Sequence, residues 1–458
     1  MATTKGRIYL GSQCVFGCVA LNGIGTPGAA GFGVGVFPGV SSELAALGLS
    51  PVDGTETVGH ASYGNYQRAD GSSFCWIPAC WFRIGSTASE RYATYGANAH
   101  DCLPLSAFAT VEAANVAGYF RHRALIDGGQ VKRGFFYAKY KASQSADGQA
   151  AIFVPNGAPI SLTSNSDYTR SQGMPDCSGN LADAVTLARA YSGYSCTSIF
   201  QSDYIARLAL CHAQAAASAT HCAWHDASGT TNFPKGCNND ALSDVDDAAV
   251  SYTTAGDPGS AAKGLTGSGA PFAKTTHNGQ PCGVADINGV MWEALLGVTN
   301  PGSSASGSAQ IASGDAWVLK ESVALSGLTA GWDGATDAWQ SAANIGVLYD
   351  SYEGFFPWGD DTGWARFGDD AETVFPSALS GVEWLRSCCG VPAASGLSSA
   401  GSNLFGADGC YRYNRQNLFP LGAGSWYNGS LAGPFARYWS YSRTHSNRYV
   451  VFRAAAYG

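Results

Sequence analysis

Glycine sets the first limit on what this chain can fold into. It occurs 59 times in 458 residues, while charged residues make up only 13%. A residue without Cβ takes φ > 0 freely and favours turns, and it weakens helix and strand interiors. A helical bundle of this length would need long amphipathic runs with charged outer faces. The composition points instead to a loop-rich α+β fold of short strands joined by many turns. Aromatic residues reach 12%, so rings can supply burial where Leu and Ile are sparse. The length suits roughly two to four domains with ample core.

The formal charge of -8 argues against nucleic acid as a general partner. No run of about 18 apolar residues is present, so membrane insertion is not expected. The start, MATTKGRIYLGS, lacks the apolar stretch of a secretory leader, and synthesis in a reducing cytoplasm is expected. The 14 cysteines are then expected to pack as free thiols. Cys388 and Cys389 are neighbours and sterically poor partners for one another.

Local patterning gives a coarse map. IYLG near Ile8, FGVGVF near Phe32 and FCWIPACWFRI from Phe74 read as short strands bounded by Gly and Pro. Pro78 should break the last run in two or confine it to an edge. RGFFYAKYKAS, around Phe136, reads as a further strand. LADAVTLARAY places Leu181, Ala184, Val185 and Ala188 on one helical face. SIFQSDYIARLALCHAQAAAS spaces Phe200, Tyr204, Leu208 and Cys211 as a helix, and Ser198 with Gln201 forms a capping-box signal. From Asn232 to Val382 Gly-rich loops return with short strands, GDAWVLKESVAL among them. A composition shift between Asn115 and His122 divides the chain. Residues 1–118 are expected to form a β-rich N-terminal module. Residues 119–458 are expected to form a ligand-binding domain with long loop insertions.

The stretch from Tyr411 to Gly458 differs from the rest. It holds Tyr411, Tyr413, Tyr427, Tyr438, Tyr441, Tyr449 and Tyr457, with Trp426 and Trp439. It holds Arg412, Arg415, Arg437, Arg443, Arg448 and Arg453, yet no Lys, Asp, Glu or Met. Ser, Gly and Asn fill most of the gaps. Rigid aromatics, arginines and small adaptable polar residues are the composition of a binding surface. A β-rich core packed with aromatics accounts for the rings as well, though less readily for the arginines.

Several segments carry a resemblance. GHASYGNYQRADGSSFCWIPACWFRI, ending at Ile84, resembles a module common in phage tail and tail-fibre proteins. CGVADINGVMWEALLGV from Cys282 resembles the Gly-x-x-Asp-x-x-Gly-Asn-Val-Trp-Glu-Trp stretch of the C-type lectin fold in its formylglycine-generating-enzyme-like branch. Asp286, Gly289, Trp292 and Glu293 match, while Val290 and Ala294 depart from the pattern. The helix after Ser198 falls where that family has an early acidic-aromatic helix. FPWGDD at Phe356 is a weaker match. GAGSWYNGSLAGPFARYWSYSRTHSNRYVVFRAA is similar to the family's closing segment, with Val451 in place of its last Gly.

That closing segment also resembles the variable region of diversity-generating retroelement proteins, of which phage tropism determinants are the known display type. In that family adenine-directed mutagenesis scrambles template Asn codons, which reaches Tyr, Ser, His, Asp and Arg but not Lys, Glu, Met or Trp. The resemblance places the variable region at about 411–453. It implies Tyr427, Asn428, Leu431, Tyr438, Ser440, Tyr441, His445, Asn447, Arg448 and Tyr449 as variable, ligand-binding residues. Gly424, Trp426, Gly429, Gly433, Phe435, Arg443, Phe452 and Arg453 would be the fixed scaffold, with the variable rings exposed on one continuous face. The implied function is receptor binding: adhesion to a host-cell surface receptor, protein or glycan, at a tail-fibre tip of the virion. A homotrimer attached to tail-fibre or baseplate proteins is implied too. A cellular retroelement target protein, binding variable ligands without tail attachment, is the alternative.

A third reading is an oxidase of the formylglycine-generating type. Those enzymes use a cysteine pair near the C-terminus, whereas Cys410 is the last cysteine here. Cys388 and Cys389 lie outside that motif, so the chain is not expected to be an enzyme. Cys211, His212, His221, Cys222, His225 and Cys237 lie close in sequence but lack a zinc-finger spacing. Asp240, Asp244, Asp246 and Asp247 lack EF-hand spacing. No cofactor is expected, although the fold family binds calcium at times and a structural calcium stays open.

Overall fold

The computed structural model describes residues 9–10, 13–14, 23–226, 239–302, 310–328, 342–368, 373–401 and 405–458. The fold is mixed α+β, rich in short strands spread over several sheets. Of the IYLG segment, Tyr9–Leu10 forms a two-residue strand with Gln13–Cys14. Ile8 and Gly11 lie outside the described residues, as does Cys237.

Two sheets organise the molecule. The first is antiparallel and six-stranded, in the order Tyr194–Cys196, Ala454–Tyr457, Gly134–Ala138, Ser73–Pro78, Asn65–Gln67 and Ser50–Pro51. The second is mixed and seven-stranded, in the order Leu397–Ser398, Gly363–Phe367, Gly409–Arg412, Arg437–Tyr438, Leu421–Gly422, Trp292–Ala294 and Val450–Val451. The chain passes from Val450–Val451 to Ala454–Tyr457 through Phe452 and Arg453, so its last residues join both sheets.

Pro78 acts as the sequence predicts. The FCWIPACWFRI run divides into Ser73–Pro78 and Cys80–Ile84, which enter different sheets. Gly134–Ala138 is a strand, as expected for RGFFYAKYKAS, and so is Ala316–Leu319 within GDAWVLKESVAL. FGVGVF is a correction: residues 32–37 are buried but form no strand. The Gly33 and Gly35 amides donate singly to Ile24 O and Trp76 O instead of building a ladder.

The boundary expected at 118 is also corrected. Ser73–Pro78 pairs along its length with Gly134–Ala138, and one apolar cluster runs from Ile24 to Ala456. Sheet and core therefore cross residue 118. Only a small satellite around Trp81, Ala114 and Tyr119 packs separately.

The helix Ile199–Ala215 is the longest described. Ser198 Oγ accepts from Gln201 N, and Gln201 Oε1 accepts from Ser198 N, which closes the expected capping box. Its burial on nearly every face shows that it is a core helix. Its polar groups are matched inside: Asp203 accepts from His122 Nε2 at 2.9 Å and Arg207 Nε at 2.6 Å, and Gln214 bonds to His100 N and Asn98 O. Asp183–Arg189 is the other expected helix. No described helix is long and apolar enough to cross a membrane.

Candidate functional site

The closing segment forms two layers. Trp426, Phe435, Trp439 and Phe452 are buried. Above them lies a row of rings in contact. Tyr411 stacks on Tyr438 at 4.4 Å between centroids, Tyr438 on Tyr441 at 4.8 Å, and Tyr441 on His445 at 4.4 Å. Trp364 packs edge-on against Tyr411 and Tyr438. Tyr427 and Tyr449 form a second contact at 4.4 Å, and Tyr449 packs edge-on against the buried Trp426 at 4.9 Å. The buried Trp292 supports Tyr438 from below at 5.6 Å.

Backbone pairing creates this row. Gly409–Arg412 runs parallel to Arg437–Tyr438 and antiparallel to Gly363–Phe367, with Tyr411 opposite both Tyr438 and Trp364. Side chains at opposed positions share a face of the sheet, so these three rings must meet. The loop bearing His445 and Tyr449 is held from outside the segment. Leu181 N donates to His445 O, Asn447 N to Leu162 O, and Ser161 Oγ to Arg448 O.

The expected site residues fall into distinct settings. Tyr427, Tyr438, Tyr441, His445 and Tyr449 are half-buried, rather than broadly exposed, because each ring covers its neighbour. Ser440 and Leu431 are half-buried too, with Leu431 over Gly409 beside Trp364. Arg448 is exposed and donates to Tyr449 Oη at 2.7 Å. Asn428 and Asn447 lie deeper, each only 8% exposed. Asn428 Oδ1 accepts from Ser425 N and Oγ, and Asn447 Oδ1 accepts from Tyr449 N at 2.7 Å. Asn447 thereby closes an Asx turn and Asn428 ties its loop back to Ser425, so both shape the surface from within.

The basic character of the segment divides likewise. Arg437, Arg443 and Arg453 are fully buried. Arg453 donates to Glu293 Oε1 at 2.9 Å and to the carbonyls of Ala138, Lys139 and Ala285. Arg443 donates to Thr299 Oγ1 and Asn300 O. Arg412, Arg415 and Arg448 remain at the surface, with Arg412 paired to Asp361 at 3.1 Å.

Sequence reasoning left Trp364 out of the site, although it is 37% exposed. Its signal was present: an aromatic one residue after Gly363 in a short alternating run, GWARF, which pairs opposite Tyr411. The motif residues occupy the interior. Trp292 is buried, Glu293 lies 3.2 Å from Lys141 Nζ, and Asp286 Oδ2 accepts from Gly267 N at 2.6 Å.

Burial governs the protonation of the surface. It pushes the Tyr427 phenol up to about 12 and raises Tyr438 and Tyr441, and neighbouring phenols reinforce the first two shifts. His445 is shifted down by burial and then by Arg415. Near neutral pH Tyr427, Tyr438 and Tyr441 therefore stay neutral phenols and His445 a neutral imidazole. Because the rings occupy each other's faces, a ligand meets mainly their edges and hydroxyls. Such edges and N–H groups favour acceptor-rich partners.

Among the described residues no group of three or more His, Cys, Asp or Glu side chains is placed to hold a metal ion. His212 uses both ring nitrogens on backbone, accepting from Gly28 N and donating to His221 O. Asp244 accepts from the amides of Asp246 and Asp247, and Asp247 pairs with Lys274. Cys388 and Cys410 are buried with thiols pushed up to about 12 by desolvation, which disfavours the reactive thiolate.

No protein-family model matches the chain, and no curated protein is significantly similar to it.

Proposed function

We propose that this chain is a receptor-binding adhesion protein that presents the ring-lined surface of its closing segment to a partner on a host cell. The observation that carries the reading is the two-layer arrangement. Rings at the expected variable positions lie side by side at the surface, over a scaffold whose expected fixed members Trp426, Phe435, Arg443, Phe452 and Arg453 are buried. A surface separated from its core in this way can change side chains without losing the fold.

The finer assignment rests on the sequence resemblance. It is a C-type lectin fold of the formylglycine-generating-enzyme-like branch, with a retroelement-type variable region, carried at a phage tail-fibre tip as a homotrimer. The role is binding rather than catalysis, and several copies per particle would add avidity to weak single contacts. Sequencing the locus tests the retroelement component: a near-copy of the stretch encoding Tyr411–Arg453 is expected nearby, and its absence argues for a fixed surface.

Binding is tested with the triple variant Tyr438→Ala, Tyr441→Ala, Tyr449→Ala. Rings desolvated against a partner can each contribute about 2 kcal/mol or more, so adsorption of particles to host cells should fall by several orders of magnitude. Half-burial adds a folding cost of about 1 kcal/mol per ring, and a melting curve beside the adsorption assay separates the two losses. Normal adsorption by a folded triple variant places recognition elsewhere.

A further inference from the structure

A second concave site lies outside the ring-lined surface and shares no residue with it. The cleft has a volume of about 640 Å³, within the range of small-molecule sites. Three walls enclose it: Val111 to Ile126, Leu319 to Ser322 with Asp350 and Tyr352, and Leu379 to Leu385. Its apolar lining includes Ile126, Leu319, Tyr352, Trp384 and Leu385.

The cations of the cleft are unequally committed. Arg123 donates to the carbonyls of Ile126, Leu319 and Lys320. Lys320 Nζ donates to Gly346 O at 2.5 Å and lies 3.8 Å from Asp350. Among the described residues, no hydrogen bond or ion pair holds the Arg121 guanidinium. Its Nε is buried without a partner, and its guanidinium lies over the Trp81 ring at 5.2 Å. Burial lowers its pKa, a desolvation cost that no ion pair among the described residues offsets. The backbone at this position is secured separately, because Trp384 Nε1 donates to Arg121 O at 3.0 Å. The fold thus holds an uncommitted guanidinium at the wall of an apolar-floored cleft. The carboxylates of Glu321 and Asp350 lie on another wall, with Lys320 beside Asp350.

We propose that this cleft is a binding site for a small carboxylate with a ring-sized body, its carboxylate held by Arg121 and its body against Trp384 and Tyr352. A guanidinium is matched to a carboxylate by its planar fork of donors, and the aromatic walls fit a sugar or aromatic ring. Free aromatic acids and terminal uronate sugars share this chemistry, so the test includes both.

Calorimetric titration of the full chain uses indole-3-acetate against indole-3-ethanol, and glucuronate against glucose. At least one acid should bind, with its neutral counterpart about tenfold weaker or worse. Arg121→Gln should weaken the acid about tenfold or more and leave the neutral compound unchanged. Asn115→Asp adds a negative charge at the same wall. It should weaken the acid similarly, and it serves in place of Arg121→Gln if that variant fails to fold. Tyr438→Ala should change neither result, so this site and the adhesion surface stand or fall separately. The proposal is overturned if neither acid binds at millimolar concentration, if acid and neutral compound bind equally, or if both cleft variants keep full affinity for the acid.

Discussion

At the residue scale, the buried polar side chains carry the most specific demands. Trp292 is fully buried beneath Tyr438, and Trp292→Ala should cost about 3–5 kcal/mol, read from a denaturant melt. Full stability in that variant would overturn the packing role. Glu293 lies between Arg453 and Lys141, all three buried. Glu293→Gln removes the negative partner of two buried cations and should cost about 3–5 kcal/mol. Trp292 and Glu293 were legible through the motif they match in the run from Cys282. Asn428 and Asn447 were not legible, because an Asn displayed to solvent and an Asn locking a turn look alike in sequence. Their partners, Ser425 and Tyr449, are only three and two residues away, but the local turn geometry that aims each side chain inward is not written in the residue types.

At the element scale, local chemistry was readable wherever partners lie within a few residues. The capping box needs only Ser198 and Gln201, and Ser198→Ala should cost about 1 kcal/mol in a melt. Pro78 ends its strand because it lacks an amide to donate. FGVGVF misled because alternation predicts a strand only if a neighbouring strand is available, and here the amides of Gly33, Gly35 and Phe37 find separate acceptors. The support of the surface loop by Ser161, Leu162 and Leu181 left no local signal, because those contacts span hundreds of residues. Gly424 shows the reverse case. At φ +94°, a Cβ there would lie 2.6 Å from Ala432 Cβ, so the expected scaffold glycine has both a conformational and a packing reason. Gly424→Val should destabilise the ring-lined surface together with the fold, seen as a lowered melting temperature and weakened attachment.

At the scale of the whole molecule, the chain ends are interdependent. Ala454–Tyr457 lies between Tyr194–Cys196 and Gly134–Ala138, and the latter lies against Ser73–Pro78. A fragment starting at residue 119 would leave Gly134–Ala138 as an open apolar edge, and it should aggregate rather than fold. The composition shift near 118 was real but marked no break in the core, since composition does not report which strands pair. The shared core also sets the acid response. Burial moves His100 and His277 down to about 3 and His212 down to about 4 from the usual 6.5. Repulsion from Arg207 adds to the shift at His100. As pH falls below 6.5 the unfolded chain protonates these imidazoles while the native protein does not. The unfolded state then binds more protons, so stability falls with pH, by up to about 1.4 kcal/mol per pH unit for each group. The contribution is complete above 6.5 and is lost progressively on the way down to about 4 for His212. Asp127 and Asp286, raised by burial, oppose the trend, because the native state takes up their protons first. A single substitution isolates one imidazole from that sum. His212→Asn retains an acceptor for Gly28 N, and its unfolding free energy should depend on pH between 6.5 and 4 by about one proton less than the parent's. Denaturant melts across that range measure the slope, and parallel curves would show that His212 does not enter the native state neutral.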